Sequence, residues 1–145
     1  MDSVSRIFSY PVFITATFVP VNKTMKQYNE MKYLRTNIQE IETAAELQKI
    51  VNENENVMVC CGRMGPMCIP VYEIMEELEE ERPEVKFYSM SFDNPESGVI
   101  RNAPECRGFM ALPFTMYYKN GKVAKATTSI QSMQQVKENL DQYLS

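Results

Sequence analysis

The chain has 145 residues, a length that suits one domain with its own hydrophobic core. Its formal net charge is −4, from 15 basic and 19 acidic residues, so we exclude the basic surface that a nucleic-acid partner requires. Histidine is absent, and three of the four cysteines fall within nine residues, which is not the pattern of a secreted disulfide framework and indicates a reducing, cytoplasmic location.

Residues 1–32 are expected to form an N-terminal arm that precedes the domain. Its apolar stretch, IFSYPVFITATFVPV at 7–21, is interrupted by Pro11 and Pro20. A signal peptide needs an uninterrupted apolar stretch, and a membrane span needs about 20 apolar residues. We therefore expect neither a cleaved signal nor an association with the membrane.

From residue 33 onward, strand and helix patterns alternate. Thr43 is placed to cap the first helix, and the acidic helix that follows the cysteines ends before Pro83. A continuous apolar run, NVMVCC, predicts a buried central strand. The predicted elements are an edge strand at 33–41, a helix within 42–56, the central strand at 56–61, an amphipathic helix from 67 to 82 and a strand at 85–93.

The last third of the chain contains the clearest local signals. A short, proline-broken helical stretch at 94–109 precedes a β-hairpin at 112–129, whose turn is Asn120-Gly121. Residues 132–144 then place four apolar side chains on one helical face. This order predicts a three-layer α/β fold, in which helices flank a mixed sheet of four to five strands, parallel at its start and antiparallel at its end.

Five short motifs in this order resemble the thioredoxin family. They are the apolar strand that runs into a Gly-Pro at a helix start, SFDNP at 91–95, LPFT at 112–115, YYKNGKV at 117–123 and QQVKENLDQYL at 134–144. The resemblance covers residues 33–145 and implies a thioredoxin-like fold. It also implies that Pro113 follows a cis peptide bond, in a loop where family members hold extended substrate chains.

The family signature, Cys-Gly-Pro-Cys, is where the resemblance breaks. The preferred register places Met64, Gly65, Pro66 and Met67 on the signature. A thioether neither ionises nor forms a disulfide, so in this register the family's redox pair is lost. The resemblance then leaves these four residues, with Leu112 and Pro113, as the expected substrate-binding positions.

Two further substitutions accompany this register. Met58 falls where the family has a buried carboxylate, and Arg63 replaces its tryptophan. An alternative register puts Cys61-Gly62-Arg63-Met64 on the signature and keeps the first cysteine only, but it spoils the spacing to the following helix.

Three cysteines remain candidates for displaced thiol chemistry. Cys61 ends the central strand, Cys68 lies in the first turn of the next helix, where a thiolate is favoured, and Cys106 lies seven residues before Pro113. Cys60 is expected to be a buried strand residue.

Met64 and Met67, together with Cys61 and Cys68, would offer copper(I) a sulfur-only site, but histidine and a known ligand spacing are lacking. We therefore predict neither a metal nor a cofactor.

Two functions follow from these residues. The first is a thiol-disulfide oxidoreductase, in which Cys61 or Cys68 attacks a protein disulfide or glutathione adduct and the other thiol or Cys106 resolves it. Such an enzyme needs an electron donor of the thioredoxin-reductase type. The second is a redox-inactive binding module that holds an extended peptide segment at the cis-proline edge. The three clustered cysteines favour the first by a small margin.

Overall fold

The computed structural model describes residues 34–145; the predicted arm lies outside this part of the chain, and its boundary with the domain stays a prediction. The strands are β1 (Gln39–Ile41), β2 (Asn56–Gly62), β3 (Lys86–Ser91), β4 (Phe114–Lys119) and β5 (Lys122–Thr128). The helices are α1 (Ala44–Glu53), α2 (Ile69–Glu81), α3 (Gly98–Arg101) and α4 (Met133–Tyr143), with 3-10 turns at Pro95–Ser97 and Pro104–Cys106.

The five strands form one mixed sheet in the order β1-β3-β2-β4-β5. The first three strands are parallel, because helices connect them, while β4 runs antiparallel to both β2 and β5. This confirms the predicted three-layer α/β architecture with its parallel start and antiparallel end.

Local sequence signals account for several element boundaries. The Thr43 hydroxyl accepts a hydrogen bond from the Glu46 N–H at 3.0 Å and caps α1 as predicted. Asn120 and Gly121 both have positive φ, as the tight turn between β4 and β5 requires. The Leu112-Pro113 peptide bond is cis, which confirms the predicted cis-proline loop.

The predicted edge strand at 33–41 is much shorter in the structure, where only Gln39–Ile41 pair with β3. The Thr36 hydroxyl accepts the Ile38 N–H at 2.8 Å, and this local turn competes with strand pairing. Helix α2 also begins slightly later than predicted, so that Cys68 is its N-cap residue.

The core consists of two clusters, one on each face of the sheet. The first packs α2 and α4 against the sheet and includes Cys60 and Cys68. The second packs α1 and α3 against the other face and includes Cys61 and Cys106. Successive strand residues point to opposite faces, so the neighbours Cys60 and Cys61 belong to different clusters.

Candidate functional site

The end of β2, the start of α2 and the loop before β4 meet at one edge of the sheet. Cys61 of β2 lies opposite Phe114 of β4, and the Phe92 N–H donates to the Gly62 carbonyl at 2.9 Å. A Cβ atom on Gly62 would lie 3.0 Å from the Cβ of Pro113. The strand end and the cis-proline loop are therefore in direct contact, as the resemblance implies.

Gly62 allows two α2 residues to approach the strand closely. A Cβ on this residue would lie 2.7 Å from the Cys68 sulfur and 3.1 Å from the Tyr72 hydroxyl oxygen. Both atoms therefore use space that any other residue at position 62 would occupy. The sulfur also accepts a hydrogen bond from the Arg63 N–H at 3.3 Å.

Arg63 fixes the loop between β2 and α2 to the end of β3. Its guanidinium donates to both carboxylate oxygens of Asp93 at 2.9–3.1 Å and lies 5.2 Å from the centre of the Phe92 ring. The hydrogen bonds from Arg63 lower the pKa of Asp93 below its ordinary value of 3.8. The pair is exposed, so it acts as a clamp in contact with solvent.

Exposed methionines form the outer surface of this edge. The exposed fractions are 39% for Met64, 41% for Met67 and 95% for Met110. The Met64 sulfur accepts the Arg35 N–H at 3.3 Å, which holds it against the residues that precede β1. The sulfur atoms on the outside of the site therefore belong to thioethers, which have no proton to lose.

Leu112 presents its main chain at the same edge. The Ser129 N–H donates to the carbonyls on either side, those of Ala111 at 3.2 Å and Pro113 at 3.0 Å. The Thr128 hydroxyl adds a second hydrogen bond to the Ala111 carbonyl. Among the described residues, neither the N–H nor the carbonyl of Leu112 has a hydrogen-bond partner, so both remain available to another chain.

The structure separates Cys68 from the other two candidate cysteines and brings Cys61 and Cys106 into one core cluster. All four thiols of the chain are free and buried. Cys61 and Cys106 belong to the α1/α3 cluster, whereas Cys68 belongs to the α2/α4 cluster across the sheet. The Cys106 thiol contacts the Met116 sulfur at 3.5 Å. The predicted partners Cys61 and Cys68 are therefore not brought together on one face.

The thiols are also poor nucleophiles at neutral pH. Burial raises the pKa of Cys61 to about 12 and the pKa of Cys106 to about 11. Burial also raises the pKa of Cys68, against the smaller opposing effects of the Arg63 N–H and guanidinium. Thiol chemistry depends on the thiolate, so the fold does not activate these groups.

Sequence reasoning missed Tyr72, Ser129 and the role of Cys60. Side chains alternate between the two faces of a strand, so the sequence was enough to place Cys60 and Gly62 on one face of β2. No sequence signal indicated that Cys68 lies beside them. No sequence signal marked Ser129, whose contacts with the cis-proline loop depend on how β5 ends. Within residues 34–145, no three His, Cys, Asp or Glu side chains cluster in a way that could hold a metal ion.

The architecture and the cis-proline edge together define an α/β protein with a thioredoxin-like fold. Solved thioredoxins match it, including that of Fasciola hepatica, with a TM-score of 0.62 and 23% identity over 73% of this chain and 99% of that chain. Plasmodium falciparum thioredoxin gives a TM-score of 0.61 and 21% identity over 73% and 99% of the two chains. Mitochondrial thioredoxin 3 of Saccharomyces cerevisiae gives 0.60 and 19% over 72% and 94%.

These identities show the fold and leave the activity open. No protein-family profile matches the chain, and no curated protein sequence matches it significantly. None of the helices in the described part of the chain combines the length and apolar character that crossing a membrane requires. The register that puts Met64-Gly65-Pro66-Met67 on the thioredoxin signature stays a prediction.

Proposed function

We propose that the protein is a redox-inactive binding module with a thioredoxin-like fold, which holds an extended segment of a partner protein at the cis-proline edge. The observation that carries the proposal is the main chain of Leu112. Its N–H and carbonyl have no hydrogen-bond partner within residues 34–145, and they lie between two carbonyls that Ser129 binds. A residue that offers one donor and one acceptor can pair with an extended chain as a strand does.

The side chains around Leu112 support the same function. Met110 exposes a flexible, polarisable thioether two residues before Leu112, and Met64 and Met67 expose theirs in the loop between β2 and α2. Methionine adapts its shape to different apolar partners, which suits contact with the side chains of an extended segment. Gly65 and Pro66 connect the first two methionines, so the four residues expected to bind substrate belong to this surface.

The oxidoreductase favoured by the sequence is the second candidate. Its support is Cys68, whose sulfur lies behind Pro113 at this edge and accepts the Arg63 N–H, a contact that opposes the rise in its pKa. It would act on a protein disulfide and require an external electron donor. The burial of all four thiols and the separation of Cys61 from Cys68 place this function second.

A peptide selection tests the binding function directly. Random peptides displayed on phage are selected on the full-length protein, and the dissociation constants of the selected peptides are measured against two variants. Met110→Glu adds a charge at the proposed surface, at a side chain that is 95% exposed. Val99→Glu makes the same change on α3, at a side chain that is 42% exposed, and serves as the matched control.

We expect Met110→Glu to weaken the selected peptides at least tenfold and Val99→Glu to leave them unchanged. Peptides that bind both variants as tightly as the wild type would contradict the proposed surface.

An insulin reduction assay with a chemical reductant tests the second candidate function, the oxidoreductase. The wild type is expected to be no faster than the blank, and a rate that Cys68→Ser abolishes would establish the oxidoreductase instead.

A further inference from the structure

Two thiols lie together on the α2/α4 face, behind the methionine surface. Cys60 and Gly62 are two residues apart in β2 and therefore project from the same face of the sheet. The Cys68 sulfur overlies Gly62, 2.7 Å from the position of a Cβ atom there. Because Gly62 has no side chain, the Cys68 sulfur and the Tyr72 hydroxyl share the space above it. Both cysteines belong to the same core cluster.

Two hydroxyls face these thiols without other partners. Thr115 lies directly opposite Cys60 in the β2–β4 pairing, and the Tyr72 oxygen lies 3.1 Å from the same Cβ position on Gly62. Both hydroxyl oxygens are buried and, within the described residues, find no hydrogen-bond partner other than the Cys60 thiol, whose pKa they lower against the larger effect of burial. Buried hydroxyls normally have a partner, so their placement beside sulfur indicates a polar site enclosed in the core.

The pKa of Cys60 gives a second indication that the Cys60 and Cys68 thiols are neighbours. After burial, repulsion by Cys68 is the largest cause of the raised pKa of Cys60, ahead of repulsion by Cys61. Cys61 is the next residue in the chain, and repulsion between two charges falls with their separation. The Cys68 and Cys60 thiols are therefore near enough to interact electrostatically within the same core cluster.

We propose that Cys60 and Cys68 form a buried disulfide when a peroxide oxidises the protein. The bond would join β2 to the start of α2 and close the loop that carries Met64 and Met67. This modification site is independent of the proposed binding function, because it needs neither a partner protein nor an electron donor.

The reaction balances with one peroxide molecule. The Cys68 thiol, whose sulfur accepts the Arg63 N–H, gives up its proton and attacks hydrogen peroxide. The departing hydroxide takes that proton, so a sulfenic acid and water form. The Cys60 thiol then attacks the sulfenic sulfur, the S–S bond forms, and the released hydroxide takes the proton of that thiol and leaves as water. Two thiols are oxidised and one peroxide is reduced to two waters.

The test treats the full-length protein with hydrogen peroxide and counts free thiols after unfolding. We expect the four thiols of the reduced protein to fall to two, with a mass loss of two hydrogens. Trypsin cleaves after Arg63 and puts Cys60 and Cys68 on different peptides, so the cross-linked pair is identified by mass spectrometry. Fragmentation between residues 60 and 61 then assigns the bond in the wild type without relying on any variant.

Four variants complete the design. Cys60→Ser and Cys68→Ser are expected to abolish the cross-link, whereas Cys61→Ser and Cys106→Ser are expected to retain it. A cross-link assigned to Cys61 or Cys106 would overturn the proposal. So would oxidation of Cys68 to the sulfinic acid with no cross-link, because that result would show that Cys60 is out of reach.

Discussion

The sulfur of Cys68 lies only 2.7 Å from the point where a side chain at Gly62 would begin. This contact joins the end of β2 to the N-cap of α2 and fixes how the first turn of the helix approaches the strand. It explains why Cys68 is buried while Met67, one residue earlier, is exposed. The position of each sulfur at this edge thus depends on a glycine in the strand.

Gly62→Ala is expected to destabilise the protein by about 1–3 kcal/mol, because the new methyl group would overlap Cys68, Pro113 and the Tyr72 hydroxyl. Urea unfolding measures the change. Gly65→Ala is the matched control, since a Cβ there meets nothing within 4 Å, and its effect is expected to stay within about 0.5 kcal/mol. Equal effects at the two glycines would contradict this account. Adding Cys68→Ala to Gly62→Ala should recover part of the loss.

The clamp between Arg63 and Asp93 is expected to weaken in acid. The folded protein lowers the pKa of Asp93 below 3.8, so the stabilisation is complete above that pH and is lost as the pH falls through the folded value. The melting temperatures of wild type and Asp93→Asn should therefore differ at pH 7 and converge below pH 3.8.

High salt should also reduce the difference between wild type and Asp93→Asn at pH 7, because both side chains are exposed. A difference in melting temperature that neither acid nor salt changes would show that the Asp93 charge is not its source.

Cys61 is expected to make the fold sensitive to alkali. Its ordinary pKa is 9.0, and the folded protein raises it to about 12. Between these values the unfolded chain loses a proton that the folded chain keeps, so the free energy of unfolding falls as the pH rises, by up to about 1.4 kcal/mol per pH unit.

Urea unfolding between pH 8 and 10.5 tests this prediction by comparing slopes. Cys61→Ala should reduce the fall in unfolding free energy above pH 9, whatever its effect at pH 8. Cys106→Ala, whose thiol has a folded pKa of about 11, should also reduce it above pH 9. Identical slopes for wild type and Cys61→Ala would show that ionisation of the Cys61 thiol does not cause the loss of stability in alkali.

Ser129 is expected to be strained in its present conformation. Its φ is +77°, in a region that favours glycine, and it keeps this angle while its N–H binds the carbonyls of Ala111 and Pro113. Ser129→Val retains the N–H and should cost about 1–3 kcal/mol, because a β-branched residue tolerates positive φ poorly. Ser129→Gly should cost nothing or stabilise the fold.

Urea unfolding measures the free energy of unfolding of both Ser129 variants. Ser129→Ala is the control, because alanine keeps the strain of positive φ. Equal stability of the Gly and Val variants would show that backbone strain at this position is unimportant.

The resemblance to the thioredoxin family predicted the cis-proline loop. The residues by themselves determined the order of elements, the cap at Thr43 and the hairpin turn at Asn120-Gly121. These features depend on side-chain period and turn chemistry within a few residues, so they can be recognised locally. The edge strand was overestimated because a short turn at Thr36 competes with pairing.

Only the tertiary structure decided which thiols share a face and which main-chain groups stay free. Cys68 reaches back to Gly62 because α2 packs against β2, and half-buried Leu112 lies between two carbonyls that Ser129 binds because the end of β5 returns beside it. Both relationships join residues whose contact depends on the packing of whole elements. Burial, which sets the pKa of each thiol, likewise exists only after both faces of the sheet are covered.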